Sequence, residues 1–332
     1  SVKRSQCSHL LQRLHLRIMI SPDHLAEASA TSENTATALL NASRDKLLQV
    51  RNKRIWPGRD EKILTSWNAL TIKAMSVAAI RLSNNNYVDS AEKSLTFIFN
   101  HLWKDGRLLA TSKDGKSHLN AYLDDYVFLL DAILSLLAAR WDTRWLTFGI
   151  DLADVMLDQF YDSQQGGFFF TSHDHESLLQ RRKDFMDDAL PSGNGVAVST
   201  LLHLGHLTGN QKYISAAEQT LRAAWQSITH TPHAHTTLLL APAEYCYPTR
   251  QIIIRGDNKT IIEWKNQCDE ASGVRDVIYA IPDTEASLPG LLNDKKITAD
   301  SPVAYVCEGF TCKAPIMTRE NLISHLKPPS SR

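Results

Sequence analysis

The chain has 332 residues, of which 43% are hydrophobic, which is enough for a large core and about two domains. Lysine plus arginine and aspartate plus glutamate both total 36, so the formal net charge is zero and a nucleic-acid partner is disfavoured. No apolar run approaches the roughly 20 residues that span a bilayer, so we expect no membrane contact.

The five cysteines are few and odd in number, which suits a reducing compartment better than a disulfide framework. We find no export signal and therefore predict a cytoplasmic protein. Residues 1–32 give no clear pattern and form an uncertain N-terminal segment. A helix is predicted over residues 33–53, because apolar residues recur at threes and fours, and Pro57-Gly58 ends it.

From residue 67 onward a unit of roughly sixty residues repeats, in which a loop, an apolar helix, a short turn and an amphipathic helix follow one another. A helix that is apolar on all sides must be enclosed by its neighbours. The predicted apolar helices cover residues 67–82, 126–139, 196–207 and 236–245. The predicted amphipathic helices cover residues 87–103, 145–160 and 213–228.

Apolar inner helices within a ring of amphipathic outer helices indicate an α/α toroid rather than a plain bundle. We therefore predict a mainly α protein with an incomplete toroid of α/α hairpins over residues 33–247. After Pro248 the period changes, and a small α/β region is predicted over residues 248–332.

Acidic residues precede the apolar helices, and the starts of successive inner helices share one end of a toroid. Asp60, Asp124 and Asp187 are therefore our predicted catalytic acid/base residues. Glycosyl chemistry needs two carboxylates, ~5 Å or ~6.5–9.5 Å apart. The alternative is helix capping, which would lower the pKa of each carboxyl group.

Polar and aromatic residues near the same helix starts are predicted to bind a small carbohydrate ligand. Aromatic rings can stack on sugar rings, although ordinary core packing and turn formation stay open as alternatives. The predicted ligand-binding residues are Arg59, Trp67, Asn68, Tyr122, Asp125, Ser192 and Asn194.

The histidines and cysteines give no recognised ligand spacing. His203 and His206 lie on a predicted buried helix without a completing Cys or carboxylate, so no metal and no cofactor are predicted. Cys307 and Cys312 lack the redox C-x-x-C spacing. Two thiols are the favoured interpretation, and a disulfide is the alternative.

Five sequence blocks resemble the spermatogenesis-associated protein 20 (YyaL) family, and the resemblance covers about residue 40 to the end. The blocks are RDEKILTSWNA (59–69), YLDDYVFL (122–129), GGFFFT (166–171), KDFMDDALPSGN (183–194) and AYVCEGFTC (304–312). The chain departs from the family pattern at Ala69, Asp188 and Gly195.

The family combines an N-terminal thioredoxin-like domain with a six-hairpin α/α toroid that is similar to N-acylglucosamine 2-epimerases and to some glycoside hydrolases. The resemblance thus implies that this chain is the C-terminal part of a parent protein with a thioredoxin-like domain before it. It implies a carbohydrate-active or carbohydrate-binding domain, glycosidase- or epimerase-like if it is an enzyme. We read no histidine at the inner-helix starts, which counts against epimerisation, since the epimerases use histidines there. The alternative function is a non-catalytic scaffold or redox-partner module.

Overall fold

The computed structural model describes residues 19–176, 178–297 and 302–326. The chain divides into two units, and the division falls between Asp60 and Glu61 in the sequence. The first unit contains α1 (Pro22–Ala28) and α2 (Glu33–Asn52), and the Ser32 side chain caps α2 by accepting the Thr35 backbone N–H. Residues 1–18 of the uncertain N-terminal segment lie outside the described residues.

The second unit is built mainly from helical hairpins, in which each inner helix is followed by an outer helix. The inner helices are α3 (Thr65–Arg81), α5 (Leu123–Ala139), α7 (Gly193–Thr208) and α9 (Thr236–Cys246). The outer helices are α4 (Asn85–His101), α6 (Thr143–Gln159) and α8 (Gln211–His230).

The inner helices form a continuous arc, since α3 contacts α5, α5 contacts α7 and α7 contacts α9. Each outer helix packs on its own inner helix, and α5 is buried on nearly every side. This arc is an incomplete toroid of α/α hairpins, as the sequence predicts. The predicted helices are confirmed with shifts of a few residues at their ends.

A small antiparallel sheet lies between the first two hairpins. It consists of β1 (Ile63–Leu64), β2 (Trp103–Lys104), β3 (Arg107–Lys113) and β4 (Lys116–Asn120), with β3 pairing to the other three. The Tyr126 hydroxyl on α5 accepts the Leu108 backbone N–H at 2.8 Å. This bond ties the first turns of α5 to the sheet.

A second sheet follows the toroid, in the order β6-β5-β7-β8, with β5 and β6 parallel and the other pairs antiparallel. Helix α10 connects β5 to β6, and α11 ends the described chain. The elements are β5 (Arg250–Gly256), α10 (Asn258–Ala271), β6 (Asp276–Pro282), β7 (Val303–Glu308), β8 (Thr311–Cys312) and α11 (Arg319–Leu326).

The two faces of this sheet pack against different partners, because successive strand residues point to opposite sides. Ile252 and Ile254 belong to a core shared with α10 and α11, whereas Ile253 and Tyr279 belong to the core of the toroid. The Tyr279 hydroxyl lies 2.8 Å from His203 Nε2 on α7. The small α/β region therefore shares one hydrophobic core with the helical hairpins.

Cys307 and Cys312 form a disulfide across β7 and β8. This differs from the favoured interpretation of two thiols. The two residues are direct partners in the antiparallel register, which the sequence spacing alone does not show. Among the described helices, none has both the length and the apolar character that crossing a bilayer requires.

The burial of α5 makes a stability prediction. Leu129 is fully buried in the toroid core, whereas Leu240 on α9 is 72% exposed. We expect Leu129→Ala to lower the free energy of unfolding by about 2–5 kcal/mol, because it removes apolar contacts and leaves a cavity. Leu240→Ala is the matched control and should change it by less than about 0.5 kcal/mol. Urea unfolding followed by circular dichroism measures both, and equal effects would contradict the assignment of α5 as the central helix.

Candidate functional site

The starts of α5 and α7 and the loop before α7 enclose a cavity of about 290 Å³ in the second unit. Three carboxylates border it: Asp124 from the first turn of α5, and Asp184 and Asp188 from the loop. Arg182 also borders the cavity and forms an ion pair with Asp184 at 2.6 Å. We call this the acidic cavity.

Asp124 is half-buried, and its carboxyl group has an unusual environment. Burial, followed by the negative charges of Asp125 and Asp184, raises the pKa of Asp124 to about 6. This is opposite to the lowering that helix capping would give. Gly193 begins α7 beside it, and a Cβ atom at Gly193 would collide with the Asp124 carboxylate. Because glycine has no side chain, residue 193 leaves space for the Asp124 carboxylate in the cavity wall.

Asp125 is buried and holds two inner-helix starts together. One carboxylate oxygen accepts the Ser66 backbone N–H at 2.9 Å, and the other accepts the Tyr122 backbone N–H at 2.9 Å. Burial raises the pKa of Asp125 to about 6, although the hydrogen bonds from Tyr122 and Ser66 act to lower it. Asp125 therefore connects α3 to α5 and does not border the acidic cavity.

Asp187 does not border the acidic cavity either. Its carboxylate accepts hydrogen bonds from the Thr236 hydroxyl at 2.6 Å, the Thr237 backbone N–H at 2.9 Å and the Ser192 backbone N–H at 2.9 Å. Burial acts to raise the pKa of Asp187, but these hydrogen bonds outweigh it and lower the pKa to about 2. Asp187 therefore caps α9, whereas its sequence position suggested α7.

Ser192 and Asn194 border the acidic cavity and are almost fully buried. The Asn194 amide donates to the carbonyls of Phe168 and Asp184 at 2.9 and 3.0 Å and accepts the Phe168 N–H at 2.7 Å. The Ser192 side chain caps α7 by accepting the Gly195 N–H. These hydrogen bonds fix the loop before α7, so the side chains of both residues stabilise the wall of the acidic cavity.

The predicted aromatic residues lie behind or away from this cavity. Tyr122 stacks on Phe170, with ring centroids 4.8 Å apart, and it is Phe170 that borders the cavity. Trp67 is 61% exposed on α3, and the Asn68 amide donates to the Leu64 carbonyl within its own helix start. Neither residue borders the acidic cavity.

Arg59 and Asp60 end the first unit, whereas Asp124 and Asp187 belong to the second. The convergence of Asp60 with the other two aspartates stays a prediction. So do the catalytic and ligand-binding roles of all ten predicted site residues.

Sequence reasoning missed three side chains that the structure brings to this end of the toroid: Asp184, Asp188 and His235. A second cavity of about 460 Å³ adjoins the acidic cavity, since Asp184 and Met186 border both. His235 borders the second cavity and occupies the N-cap position of α9. It corrects our expectation that no histidine stands at an inner-helix start. The signal was present, because His235 directly precedes the predicted helix over residues 236–245.

The His235 ring is 1% exposed, and its two nitrogens differ. Nδ1 lies 2.8 Å from the Thr231 carbonyl, which can only accept, so Nδ1 carries a proton. Nε2 is buried without a hydrogen-bond partner among the described residues. Within the same described ranges, no three His, Cys, Asp or Glu side chains come together as metal ligands would.

The opposite pKa shifts of Asp124 and Asp187 predict opposite mutational effects. The folded state raises the pKa of Asp124, so the wild-type chain loses stability as the pH rises from about 4 to about 6. Asp124→Asn should therefore raise the free energy of unfolding at pH 8 by up to about 3 kcal/mol, and by nothing below about pH 4.

Asp187→Asn is the matched substitution. The folded state lowers the pKa of Asp187, so its stabilisation is present above about pH 4 and is lost as the pH falls through about 2. We expect this variant to lose at most about 2 kcal/mol at pH 8, because solvent screens this partly exposed carboxylate. Urea unfolding at pH 4 and pH 8 measures both variants, and a shift of the same sign at pH 8 would refute the assignment.

Comparison with known proteins gives relatives by sequence, and no family model matches the chain. Spermatogenesis-associated protein 20 of Homo sapiens is 29% identical over 300 residues, which is 84% of this chain and 38% of that protein. An uncharacterized protein of Caenorhabditis elegans is 23% identical over 335 residues, which is 97% of this chain and 46% of that protein. The chain thus spans less than half the length of these relatives.

Solved structures give partial likenesses. Cellobiose 2-epimerase from Bacillus thermoamylovorans has a TM-score of 0.43 and 13% identity, over 50% of this chain and 45% of that chain. A glycoside hydrolase family 76 mannosidase from Bacteroides thetaiotaomicron has a TM-score of 0.42 and 14% identity, over 65% and 61%. The sequence matches confirm the resemblance carried by the five blocks, and the chain is similar to spermatogenesis-associated protein 20 over 84% of its length.

Proposed function

We propose that the acidic cavity binds a small carbohydrate and that Asp124 is its general acid. The observation that carries the proposal is a half-buried carboxyl group with a pKa near 6 in a cavity that two further carboxylates border. Strongly shifted titratable groups in clefts are candidates for functional residues. A structural ion pair does not explain the raised pKa of Asp124, because the charges that act on its carboxyl group, those of Asp125 and Asp184, are negative.

The size and lining of the acidic cavity suit one sugar ring. Its volume of about 290 Å³ lies just below the range of about 300 to 1,000 Å³ that is typical of cavities for drug-sized ligands. Phe170 and Leu123 offer apolar surface for the C–H face of a sugar. Asp184, Asp188 and Arg182 offer acceptors and donors for hydroxyl groups. The adjoining cavity of about 460 Å³ provides room for a second ring.

The carboxylates can divide the work of acid and base. A carboxyl group with a pKa near 6 keeps a protonated fraction at neutral pH and can donate that proton to a leaving oxygen. Asp184 and Asp188 are the candidates for the second carboxylate, which would act on the sugar or on water. This pair replaces Asp187, whose oxygens are occupied by capping hydrogen bonds.

His235 supports a second candidate reaction, epimerisation or isomerisation of a reducing sugar. In the neutral ring its Nε2 carries a lone pair, and this atom is buried without a partner among the described residues. The residue itself borders the adjoining cavity. A lone pair of this kind can remove a proton from the carbon next to a carbonyl group. A substrate lying across Asp184 and Met186 would reach both cavities.

Ligand binding gives the first test. Monosaccharides and aryl glycosides are screened for a rise in the thermal unfolding midpoint, which binding to the folded state produces. We expect at least one sugar to raise the midpoint of the wild-type chain. The double variant Asp188→Asn, Arg182→Met should bind that sugar with about tenfold lower apparent affinity and therefore show a smaller rise. Glu263→Gln on the exposed side of α10 is the control and should bind as the wild type does. If no sugar shifts the wild-type midpoint, the carbohydrate proposal fails.

The reaction is tested with the sugar that binds. Asp124→Asn should keep binding but lose at least about a hundredfold in glycoside cleavage, and the wild-type rate should fall as the pH rises through about 6. Epimerisation instead exchanges hydrogen next to the carbonyl with D₂O, which NMR detects, and His235→Asn should abolish that exchange. Binding without either reaction would favour the non-catalytic scaffold.

A further inference from the structure

The Cys307–Cys312 disulfide lies at a further cavity, which is separate from the acidic cavity and takes no part in the proposed sugar chemistry. This cavity measures about 200 Å³, and both cysteines border it together with Lys295, His206 and Phe310. We propose that it is a thiol–disulfide exchange site for low-molecular-weight thiols, in which Cys312 is the reacting sulfur and Lys295 favours its thiolate.

The position of the disulfide argues against a mainly structural role. Cys307 and Cys312 are direct partners in the β7–β8 register, with a Cα–Cα distance of 4.0 Å and a sequence separation of 5. A bridge that closes so short a loop restricts the unfolded chain less than one that closes a long loop. The hairpin is also held by the backbone, since the Lys313 N–H donates to the Val306 carbonyl at 3.0 Å.

The charge next to the disulfide favours one sulfur over the other. Lys295 Nζ lies 3.1 Å from Cys312 Sγ, in hydrogen-bond contact. A lysine ammonium at this distance stabilises a thiolate and lowers the pKa of the thiol that forms on reduction. Lys295 is held half-buried, and its ammonium lies 5.5 Å from the centre of the Tyr305 ring. The cation is therefore fixed at Cys312.

Access also favours Cys312. Cys307 is 5% exposed, whereas Cys312 is only half-buried on the last strand of the sheet. Beside it, Phe310 is 48% exposed and packs edge-on against His206 at 5.2 Å between ring centroids. A cavity of about 200 Å³ admits the thiol-bearing arm of a small molecule and leaves no room for a folded partner segment.

The exchange takes place in two steps, each of which forms one S–S bond and breaks another. A substrate thiolate R–S⁻ attacks Cys312 Sγ, the S–S bond to Cys307 breaks, and Cys307 leaves as a thiolate that takes a proton from water. A second R–S⁻ attacks the substrate sulfur of the mixed disulfide and releases R–S–S–R. Cys312 then leaves as a thiolate beside Lys295. Two thiols are oxidised to one disulfide while the protein disulfide is reduced to two thiols, and the reverse sequence reduces a small disulfide.

The test uses the full chain with Cys7→Ser and Cys246→Ser, so that Cys268, which is buried, is the one other cysteine. The protein is equilibrated with reduced and oxidised glutathione at several ratios, alkylated and weighed by mass spectrometry. We expect the Cys307–Cys312 pair to pass from disulfide to dithiol across these ratios. A pair that stays fully oxidised at millimolar reduced glutathione overturns the proposal, and this readout needs no substitution in the pair.

Single variants in the same background identify the reacting sulfur. Cys307→Ser should form one glutathione adduct on Cys312, at least about tenfold faster than the exposed Cys246 of a Cys307→Ser, Cys312→Ser chain that keeps it. Adding Lys295→Met should slow adduct formation about tenfold, and Lys295→Arg should restore it. Equal rates with and without the Lys295→Met substitution would remove the role of the cation, with folding checked by circular dichroism.

Discussion

The second unit depends on the enclosure of α5. Tyr126, Leu129, Leu130 and Ile133 are each fully buried on this helix, which is enclosed on nearly every side. Helices α3, α6 and α7 and strand β6 all contact α5 and supply the enclosure. Asp131 is a charged residue on this mostly apolar helix, and its carboxylate forms an ion pair with Lys73 on α3 at 2.6 Å. The arc of inner helices follows from the need to cover this one apolar element.

Enclosing the inner helices creates a second requirement, since the backbone N–H groups at their starts leave water together. Asp125 satisfies the N–H groups of Ser66 and Tyr122, and Asp187 satisfies those of Ser192 and Thr237. Asp124 makes neither of these bonds and borders a cavity among other negative charges. The three carboxylates therefore differ in use, and Asp187 differs from Asp124 and Asp125 in pKa, because burial, hydrogen bonds and charge act on each in a different proportion.

The acidic cavity and the cavity at the Cys307–Cys312 disulfide, here called the disulfide cavity, differ chemically and lie in different parts of the fold. The acidic cavity lies at the starts of α5 and α7, whereas the disulfide cavity lies where β7 and β8 pass the later part of α7. The C-terminal sheet links the two regions, since Gln251 and Tyr279 bond to His203 on α7 at 2.9 and 2.8 Å. The helix whose first residues border the acidic cavity is therefore packed against the C-terminal sheet at its later residues.

The spacing of apolar residues in the sequence by itself determined the hairpin architecture and the change to an α/β region after Pro248. This is possible because the spacing shows whether an element is buried on one face or on all faces. The sequence also indicated that carboxylates lie at the starts of the inner helices. It did not separate Asp124 from Asp125 and Asp187, since their roles depend on which N–H groups lie within reach. It missed Asp184 and Asp188, which lie on a long loop without periodicity, and His235, which ends the short connection before α9. The tertiary structure alone decided these assignments and the pairing of Cys307 with Cys312, because strand register and loop path arise from contacts between residues distant in the chain.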